Sequence, residues 1–347
     1  MKQKQNTLKK SKVDIYVDGD CLVIKLSGIL TIRTINTILS KLNILKKVET
    51  CILNNMLLDL SDAYPVQLSG AVGLVCLCSA LVKNKVDEIF KPSNFFIHRP
   101  PESVLTYLVN LNFFTQMSNK AKLLNCEDLV NSEFERDMRR KEYKLSYSNN
   151  HLDYYNNSII GPMEIIPCKG ESISGQDFEN IAQQFINQAC NYFEKLLSSA
   201  YFNFNGADKH DFWLSNLELF KNIFDHSNSW GLCTIHARPN VGTAVCYYDI
   251  GVGFKGSVNT SLKIEKKFET DYEAIDWALL DGHSSKTHGT GYGLTIVQDF
   301  VLSRNGIIEI RSGECLLQRK SEDIKWNVQK VPWFPGVQTS FFIPCKK

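Results

Sequence analysis

The stretch ELFKNIFDHS, residues 218–227, carries polar side chains at every fourth position. Glu218, Asn222 and His226 share one stripe of a helix, since a step of four residues drifts only about 40° around the helix axis. Large apolar side chains fall on the opposite side, where they can pack against a sheet: Trp213, Leu217, Phe220 and Phe224. By itself such a stripe is typical of the solvated face of an amphipathic helix.

A strand that ends in glycines, DIGVGFKG (residues 249–256), follows. Gly251, Gly253 and Gly256 spell G-x-G-x-x-G, the dinucleotide-binding pattern. We disfavour that interpretation, because a polar segment follows and because Asp249 precedes the glycines, whereas a ribose-binding acid lies about 20 residues after them. Asp-x-Gly-x-Gly fits better: the carboxylate can accept from an exocyclic amine, and glycines let a flat base approach the backbone. A turn that ends a strand is the alternative.

Two further signals lie downstream. HGTGYGLTIVQDF places Gly289, Gly291 and Gly293 before a helix with apolar periodicity. Backbone N–H groups at such a helix start can bind an anion, and phosphate is the natural ligand. No Gly-Lys-Ser/Thr follows, which excludes the P-loop. GVQTSFFIP then carries Thr339 on a predicted strand, where the hydroxyl could reach a buried base.

Four motifs follow one another along the chain: E-x-x-x-N on a helix, D-x-G-x-G at a strand end, G-x-G-x-G-L at a helix start and a threonine on a late strand. This order resembles the Bergerat ATP-binding fold of the GHKL superfamily (gyrase, heat-shock chaperone, histidine kinase, mismatch-repair protein). The helix motif is similar to the N box of anti-sigma-factor serine kinases, in which a histidine often ends the motif. The resemblance covers about residues 176–345. It implies an α/β sandwich that binds ATP and Mg²⁺, with helices on one face of a mixed, mostly antiparallel sheet.

The resemblance also implies a role for each matching residue. Asn222 would ligate Mg²⁺ through its side-chain oxygen, and Glu218 would orient or deprotonate an attacking water or hydroxyl. Asp249 would accept from the adenine amine, and Thr339 would support the adenine. The other implied positions are Gly251 and Gly253 at the base, Gly289, Gly291 and Gly293 around the phosphates, Lys286 as a phosphate partner, and a mobile lid over residues 254–288. A solvated surface lysine is an equally good interpretation of Lys286.

The first part of the chain alternates strands and helices, which predicts a sheet covered by helices. Within it, LLDLSDAYPVQLSGAVGLVCL resembles the STAS domain of anti-sigma-factor antagonists. The resemblance implies that Ser69, which precedes Gly70, is the position that GHKL kinases phosphorylate. Gln67 and Leu68, however, stand where the family usually has Asp-Ser. The alternative, which we favour, is that Ser69 is the N-cap residue of a helix.

The sequence thus predicts an α/β protein with a STAS-like domain over residues 1–118, a polar connector over 119–165 and a GHKL-type ATPase domain over 166–347. The net charge of +2 gives no global field that favours nucleic acid or a membrane surface. No apolar run is long enough to span a membrane, and no signal peptide is recognised. The eleven cysteines form neither a zinc nor a disulfide pattern, so we expect a cytoplasmic protein.

Three functions remain open from the sequence. The first is a regulatory protein that binds Mg·ATP and transfers a phosphoryl group to a serine, on a partner protein or on its own STAS-like domain. The second is a switch in which ATP hydrolysis drives homodimerisation or clamp closure. The third is a nucleotide-binding module without turnover. A sensor histidine kinase is disfavoured, because the prolines after His98 would break a helix.

Overall fold

The structure of the protein is a computed structural model. It describes residues 11–47, 53–83, 85, 90–98, 100–118, 122–124, 128, 159–160, 163–166, 180, 183, 187, 206–238, 241–262, 264–280, 282–283 and 293–345. The chain divides into two compact units, residues 1–149 and 150–347. Their boundary lies inside the predicted connector, but both ends of that stretch contribute strands to the sheets, so the connector is shorter than predicted.

A five-stranded mixed sheet organises the first unit. Its strands are β1 (Lys12–Asp18), β2 (Cys21–Leu30), β3 (Leu53–Val66), β4 (Phe90–His98) and β5 (Lys122–Leu124). They lie in the order β1-β2-β3-β4-β5, with β1 antiparallel to β2 and the other neighbouring pairs parallel. The described helices of this unit are α1 (Ile32–Leu45), α2 (Leu68–Val82), α3 (Glu102–Asn110) and α4 (Phe113–Ser118).

Local sequence signals explain several of these boundaries. Gly19 adopts φ +61° in the β1–β2 turn, a left-handed conformation that glycine tolerates. Thr31 caps α1 in a capping box, in which Thr31 and Thr34 each accept from the other's backbone N–H.

Connections between parallel strands are right-handed as a rule, so the steadily advancing order from β2 to β5 places the connecting helices on one face of the sheet.

The start of α2 corrects one prediction. Ser69 is not the N-cap residue: Gln67 holds that position in extended conformation, and Ser69 is the second residue of the helix, half-buried. The helix begins two residues earlier than an N-cap at Ser69 would place it, because its first residue, Leu68, is buried in the core. Gly70 is needed for packing, since a Cβ there would lie 2.5 Å from the carbonyl oxygen of Leu30.

The sheet of the second unit is antiparallel at every described pairing. Its strands are β6 (Ile159–Ile160), β7 (Glu164–Ile166), β8 (Gly231–Arg238), β9 (Gly242–Asp249), β10 (Ile307–Lys320) and β11 (Asn327–Pro344). They lie in the order β10-β11-β9-β8-β6, and β7 also pairs with β8. The described helices of this unit are α5 (Gly206–His226), α6 (Gly253–Thr260), α7 (Asp271–Ala278) and α8 (Gly293–Leu302).

Helices α5 and α8 pack on this sheet through one apolar core. Aromatic rings dominate the contact: the ring centroids of Phe212 and Phe300 are 5.9 Å apart, and those of Phe300 and Phe341 are 6.5 Å apart. Two units of helices packed on sheets confirm the predicted α/β class. Among the residues that the structure describes, no helix is both long and apolar enough to cross a membrane.

Three sequence predictions in this unit need comment. The segment after Phe254, where the predicted lid begins, starts with a helix, α6, because Phe254 and Val258 lie one turn apart and pack with Phe268 in a small second core. The sequence predicts strands at GIIEIRSG (residues 306–313) and VQTSFFIP (residues 337–344), and β10 and β11 extend well beyond them as one long antiparallel pair. The sequence also predicts a long amphipathic helix over residues 175–199, and this segment lies almost entirely outside the described residues.

A buried ion pair joins the first turn of α5 to the chain just after α8. Arg304 contacts Asp208, and their side chains are only 14% and 13% exposed. Asp208→Asn should lower the free energy of unfolding of this unit by about 3 kcal/mol, because it removes the nearer and less exposed of the two carboxylates that pair with a largely buried guanidinium. Urea unfolding followed by tryptophan fluorescence measures this, since all five tryptophans lie in residues 150–347.

The control for that experiment is Asp211→Asn. Asp211 lies 3.7 Å from the same guanidinium, but its side chain is 46% exposed, so its loss should cost less than about 1 kcal/mol. Equal destabilisation by the two variants would contradict the role given to Asp208.

His236 on β8 makes stability depend on pH. Its Nε2 accepts from Nε of Arg238 at 3.2 Å, and burial lowers the pKa of His236 to about 3. In the unfolded chain this histidine has its ordinary pKa of about 6.5, so the unfolded state binds more protons than the folded state below that pH. The free energy of unfolding therefore decreases as the pH falls from about 6.5 toward 3, by at most about 1.4 kcal/mol per pH unit. His236→Gln, which cannot titrate, should flatten the urea-midpoint curve over this window. Parallel curves would contradict it.

Candidate functional site

One cavity of the second unit gathers side chains from four helices and two strands. Helices α5, α6, α7 and α8 and strands β9 and β11 all contribute to its wall, together with Ser227 and His283. It encloses about 980 Å³ of empty space, including its open mouth.

The polar stripe of α5 faces this cavity. Glu218, Asn222 and His226 all line it, and Leu219 and Ile223 line it beside them. The opposite side of the helix is anchored in the core, as the sequence predicted, with Phe220 1% exposed. The stripe is therefore not a solvated helix face.

Strand β9 delivers a buried carboxylate to the same wall. Asp249, its last residue, lines the cavity and is only 2% exposed. The backbone N–H of Gly251 donates to Oδ1 of Asp249 at 2.7 Å, which fixes the orientation of this side chain. Tyr247, two residues earlier on the same face, also lines the cavity, and its hydroxyl donates to Oδ1 of Asn216 at 2.8 Å.

The two glycines after Asp249 are required for different reasons. A Cβ on Gly251 would collide with the carbonyl oxygen of Ser227, which also accepts from the N–H of Val252 at 3.0 Å. Gly251 thus lets this turn pack on the end of α5. Gly253 lines the cavity at φ +72°, and a Cβ there would lie 2.7 Å from Oγ of Ser312.

The start of α8 completes another side. Gly293 and Leu294 line the cavity, and a Cβ on Gly293 would lie 2.5 Å from Oε2 of Glu218. The glycine therefore leaves room for the Glu218 carboxylate at the N-terminal end of α8. The other residues predicted near the phosphates, Lys286, Gly289 and Gly291, lie outside the described residues.

Strand β11 supplies the last predicted residue. Thr339 lines the cavity at 3% exposure, and it is the register partner of Tyr247 on β9 and of Ile310 on β10. Six of the predicted site residues therefore line the cavity, and Gly251 lies beside one of them, Asp249. They come from four segments that are distant in the sequence. The six are Glu218, Asn222, Asp249, Gly253, Gly293 and Thr339.

The cavity also contains residues that the sequence did not single out. Ser257 on α6 lies with its Oγ 3.1 Å from Nδ1 of His226, which joins α6 to the end of α5. Trp277 and His283 line the cavity as a stacked pair with ring centroids 4.8 Å apart. No motif in the sequence marks these residues, because their contacts depend on how α6 and α7 pack.

The described residues offer few ligands for a metal ion. No group of three or more His, Cys, Asp or Glu is arranged to hold one within the described part of the chain. The α5 stripe contributes one amide oxygen, on Asn222, and one carboxylate, on Glu218. Such a sparse set fits Mg²⁺, which keeps several waters and is commonly bound by one or two protein oxygens together with substrate phosphates.

Comparison with protein-family models and with curated proteins gives no match to guide the assignment. No protein-family model matches the chain, and no curated protein is significantly similar to it. The cavity and the motifs that line it are therefore the basis for assigning a function.

Proposed function

We propose that residues 150–347 form a Mg²⁺-dependent ATP-binding module of the GHKL type, which its motifs resemble. The observation that carries this proposal is the meeting of Glu218, Asn222, Asp249, Gly293 and Thr339 in one cavity. The buried carboxylate of Asp249 at one wall suits a base that carries an amine. The side-chain amide of Asn222 on α5, at another wall, suits a phosphate tail with its bound Mg²⁺.

The base would be held at the β9 end of the cavity. Asp249, fixed by the Gly251 N–H, is an acceptor with almost no access to bulk water, so its hydrogen bond to an exocyclic amine is strengthened. Apolar walls from Ile223, Val258 and Leu294 suit the faces of a purine. Thr339 offers a hydroxyl for a second polar contact.

The phosphates would be held between α5 and the start of α8. Asn222 would bind Mg²⁺, which supplies positive charge that neutralises the phosphate oxygens when it is bound. Because the described protein ligands are so few, we expect the ion to bind together with the nucleotide. Chelation of Mg²⁺ should therefore abolish most of the ATP affinity, and Mg²⁺ without nucleotide should bind weakly.

The chemistry that we propose is phosphoryl transfer to a serine. Glu218 takes the proton of the attacking hydroxyl while the Oγ–P bond forms and the bond to the leaving ADP breaks. Ser69 in the first unit is the first acceptor to test. It is the second residue of α2 and half-buried, and a phosphate at a helix start is favoured by the helix dipole.

The experiment is a titration of the full chain with Mg·ATP, read by tryptophan fluorescence because Trp277 lines the cavity. γ-Labelled ATP and mass spectrometry then identify the product, with Ser69→Ala as the control. Phosphoserine at Ser69 supports the kinase in full. Label on another serine keeps the kinase but not its acceptor, and free phosphate alone indicates a hydrolytic switch. Absence of ATP binding contradicts the proposal.

A further inference from the structure

Strand β11 contains an irregularity opposite the buried carboxylate. Its pairing with β10 changes from Ser312–Val337 to Gly313–Phe334, so β11 has two extra residues, Pro335 and Gly336, at this point. Such bulges redirect the backbone and are frequent beside active sites. The bulge brings the β11 backbone toward the end of β9, where Asp249 lies.

Gly336 stands where any side chain would collide with Asp249. It is buried at φ +80°, and a Cβ at this position would lie 2.5 Å from Oδ1 of Asp249 and would also collide with its carbonyl oxygen. The same Oδ1 accepts from the N–H of Gly251 at 2.7 Å. The carboxylate thus accepts a hydrogen bond from its own turn and occupies the space into which a side chain at position 336 would point.

The carbonyl oxygen of Gly336 also lies near the second glycine of the turn. A Cβ on Gly253 would lie 3.4 Å from this oxygen. Gly336 is therefore close to both Asp249 and Gly253, the two ends of the turn. A side chain at position 336 would have to displace either the carboxylate or the strand.

We infer that Gly336 is a positioning residue that fixes the Asp249 carboxylate and thereby sets the selectivity of the cavity for a base that carries an exocyclic amine. This inference rests on the proposed function and adds the element that determines the base preference. Gly336 has no side chain with which to touch a ligand, so it acts through Asp249. A displaced carboxylate can no longer distinguish an amine donor from a carbonyl acceptor at the same place on the base.

The test compares ATP with inosine triphosphate, which carries a carbonyl oxygen where ATP has its amine. The wild-type chain should prefer ATP. Gly336→Ala should weaken ATP binding by at least about tenfold and bring the ratio of the two dissociation constants close to one, because a charge-assisted hydrogen bond is lost. Turnover at saturating ATP should change much less, since Glu218 and Asn222 are on a different element.

Two matched controls separate positioning from backbone strain. Gly313 lies in the same bulge and has a φ of +54°. Like Gly336→Ala, Gly313→Ala places a methyl group against a carboxylate, but this carboxylate belongs to Asp271 and not to Asp249. Gly19→Ala, at φ +61°, places a methyl group in open space. Both variants should keep the preference for ATP whatever they do to the melting temperature. Loss of the preference in Gly313→Ala to the same degree as in Gly336→Ala would overturn the inference.

A double-mutant cycle with Asp249→Asn gives the second readout. If Gly336 acts through Asp249, adding Gly336→Ala to Asp249→Asn should raise the dissociation constant for ATP by less than a further factor of about three. Independent effects on the dissociation constant would multiply, and that result would overturn the inference.

If Gly336→Ala fails to fold, Pro335→Gly replaces it, because it loosens the same bulge without adding volume. This variant should lower the preference for ATP severalfold, and an unchanged preference would again overturn the inference. A wild-type chain that binds no nucleotide would instead refute the proposed function, before any variant is made.

Discussion

Asp249→Asn is expected to weaken Mg·ATP binding by about 10- to 100-fold. Asparagine can still accept the Gly251 N–H through its Oδ1, so the turn should be preserved. Its amide nitrogen, however, is a donor, and it would face the donor amine of the base. Loss of a hydrogen bond to a charged group costs about 1.5–3 kcal/mol, which gives this range of affinity. The measurement is the dissociation constant from tryptophan fluorescence or calorimetry.

The matched control is Asp299→Asn. Asp299 is an exposed residue of α8, and it does not line the cavity. The two variants change the net charge equally, so a long-range charge effect would appear in both. Wild-type affinity in Asp249→Asn would show that this carboxylate does not bind the base, and it would remove the basis for selectivity inferred for Gly336.

Glu218→Gln should lower the rate of phosphoryl transfer or hydrolysis by about 10²- to 10⁴-fold while the affinity for Mg·ATP changes little. This range is what a positioned general base contributes. Glutamine keeps the size of the side chain, so its contact beside Gly293 is retained and only the proton acceptor is lost. Single-turnover assays with labelled ATP measure the chemical step apart from nucleotide binding.

Glu322→Gln serves as the control for that experiment. Glu322 lies between β10 and β11, its side chain is 73% exposed, and it does not line the cavity. Its turnover should equal that of the wild type. Wild-type turnover in Glu218→Gln would exclude Glu218 as the base.

Much of the fold follows from local signals in the sequence. The β1–β2 hairpin needs a residue that tolerates positive φ, and Gly19 supplies it. Helix α1 has a capping box and apolar periodicity, and α5 has an apolar face separate from its polar stripe. These features act between residues a few positions apart, so the chain carries them before any tertiary contact forms.

Features that depend on packing were missed or misplaced. Helix α6 is rich in polar residues, and it is anchored by the N–H of Phe254, which donates to Oγ of Ser312, 58 positions away in the chain. The start of α2 lies two residues before the position that the cap preference of Ser69 predicts, because Leu68 is buried in the core. Propensity is a weak guide wherever a distant contact competes with it.

The α/β class, the two-part organisation and the candidate residues Glu218, Asn222, Asp249 and Thr339 can be predicted from the motifs and patterns along the chain. That these residues share one cavity, and that Gly336 in the β11 bulge leaves no room for a side chain beside Asp249, becomes visible only in the folded chain. This is because a motif specifies residue types along one element. The distance between elements is set by the packing of a whole sheet and its helices, to which residues throughout the unit contribute.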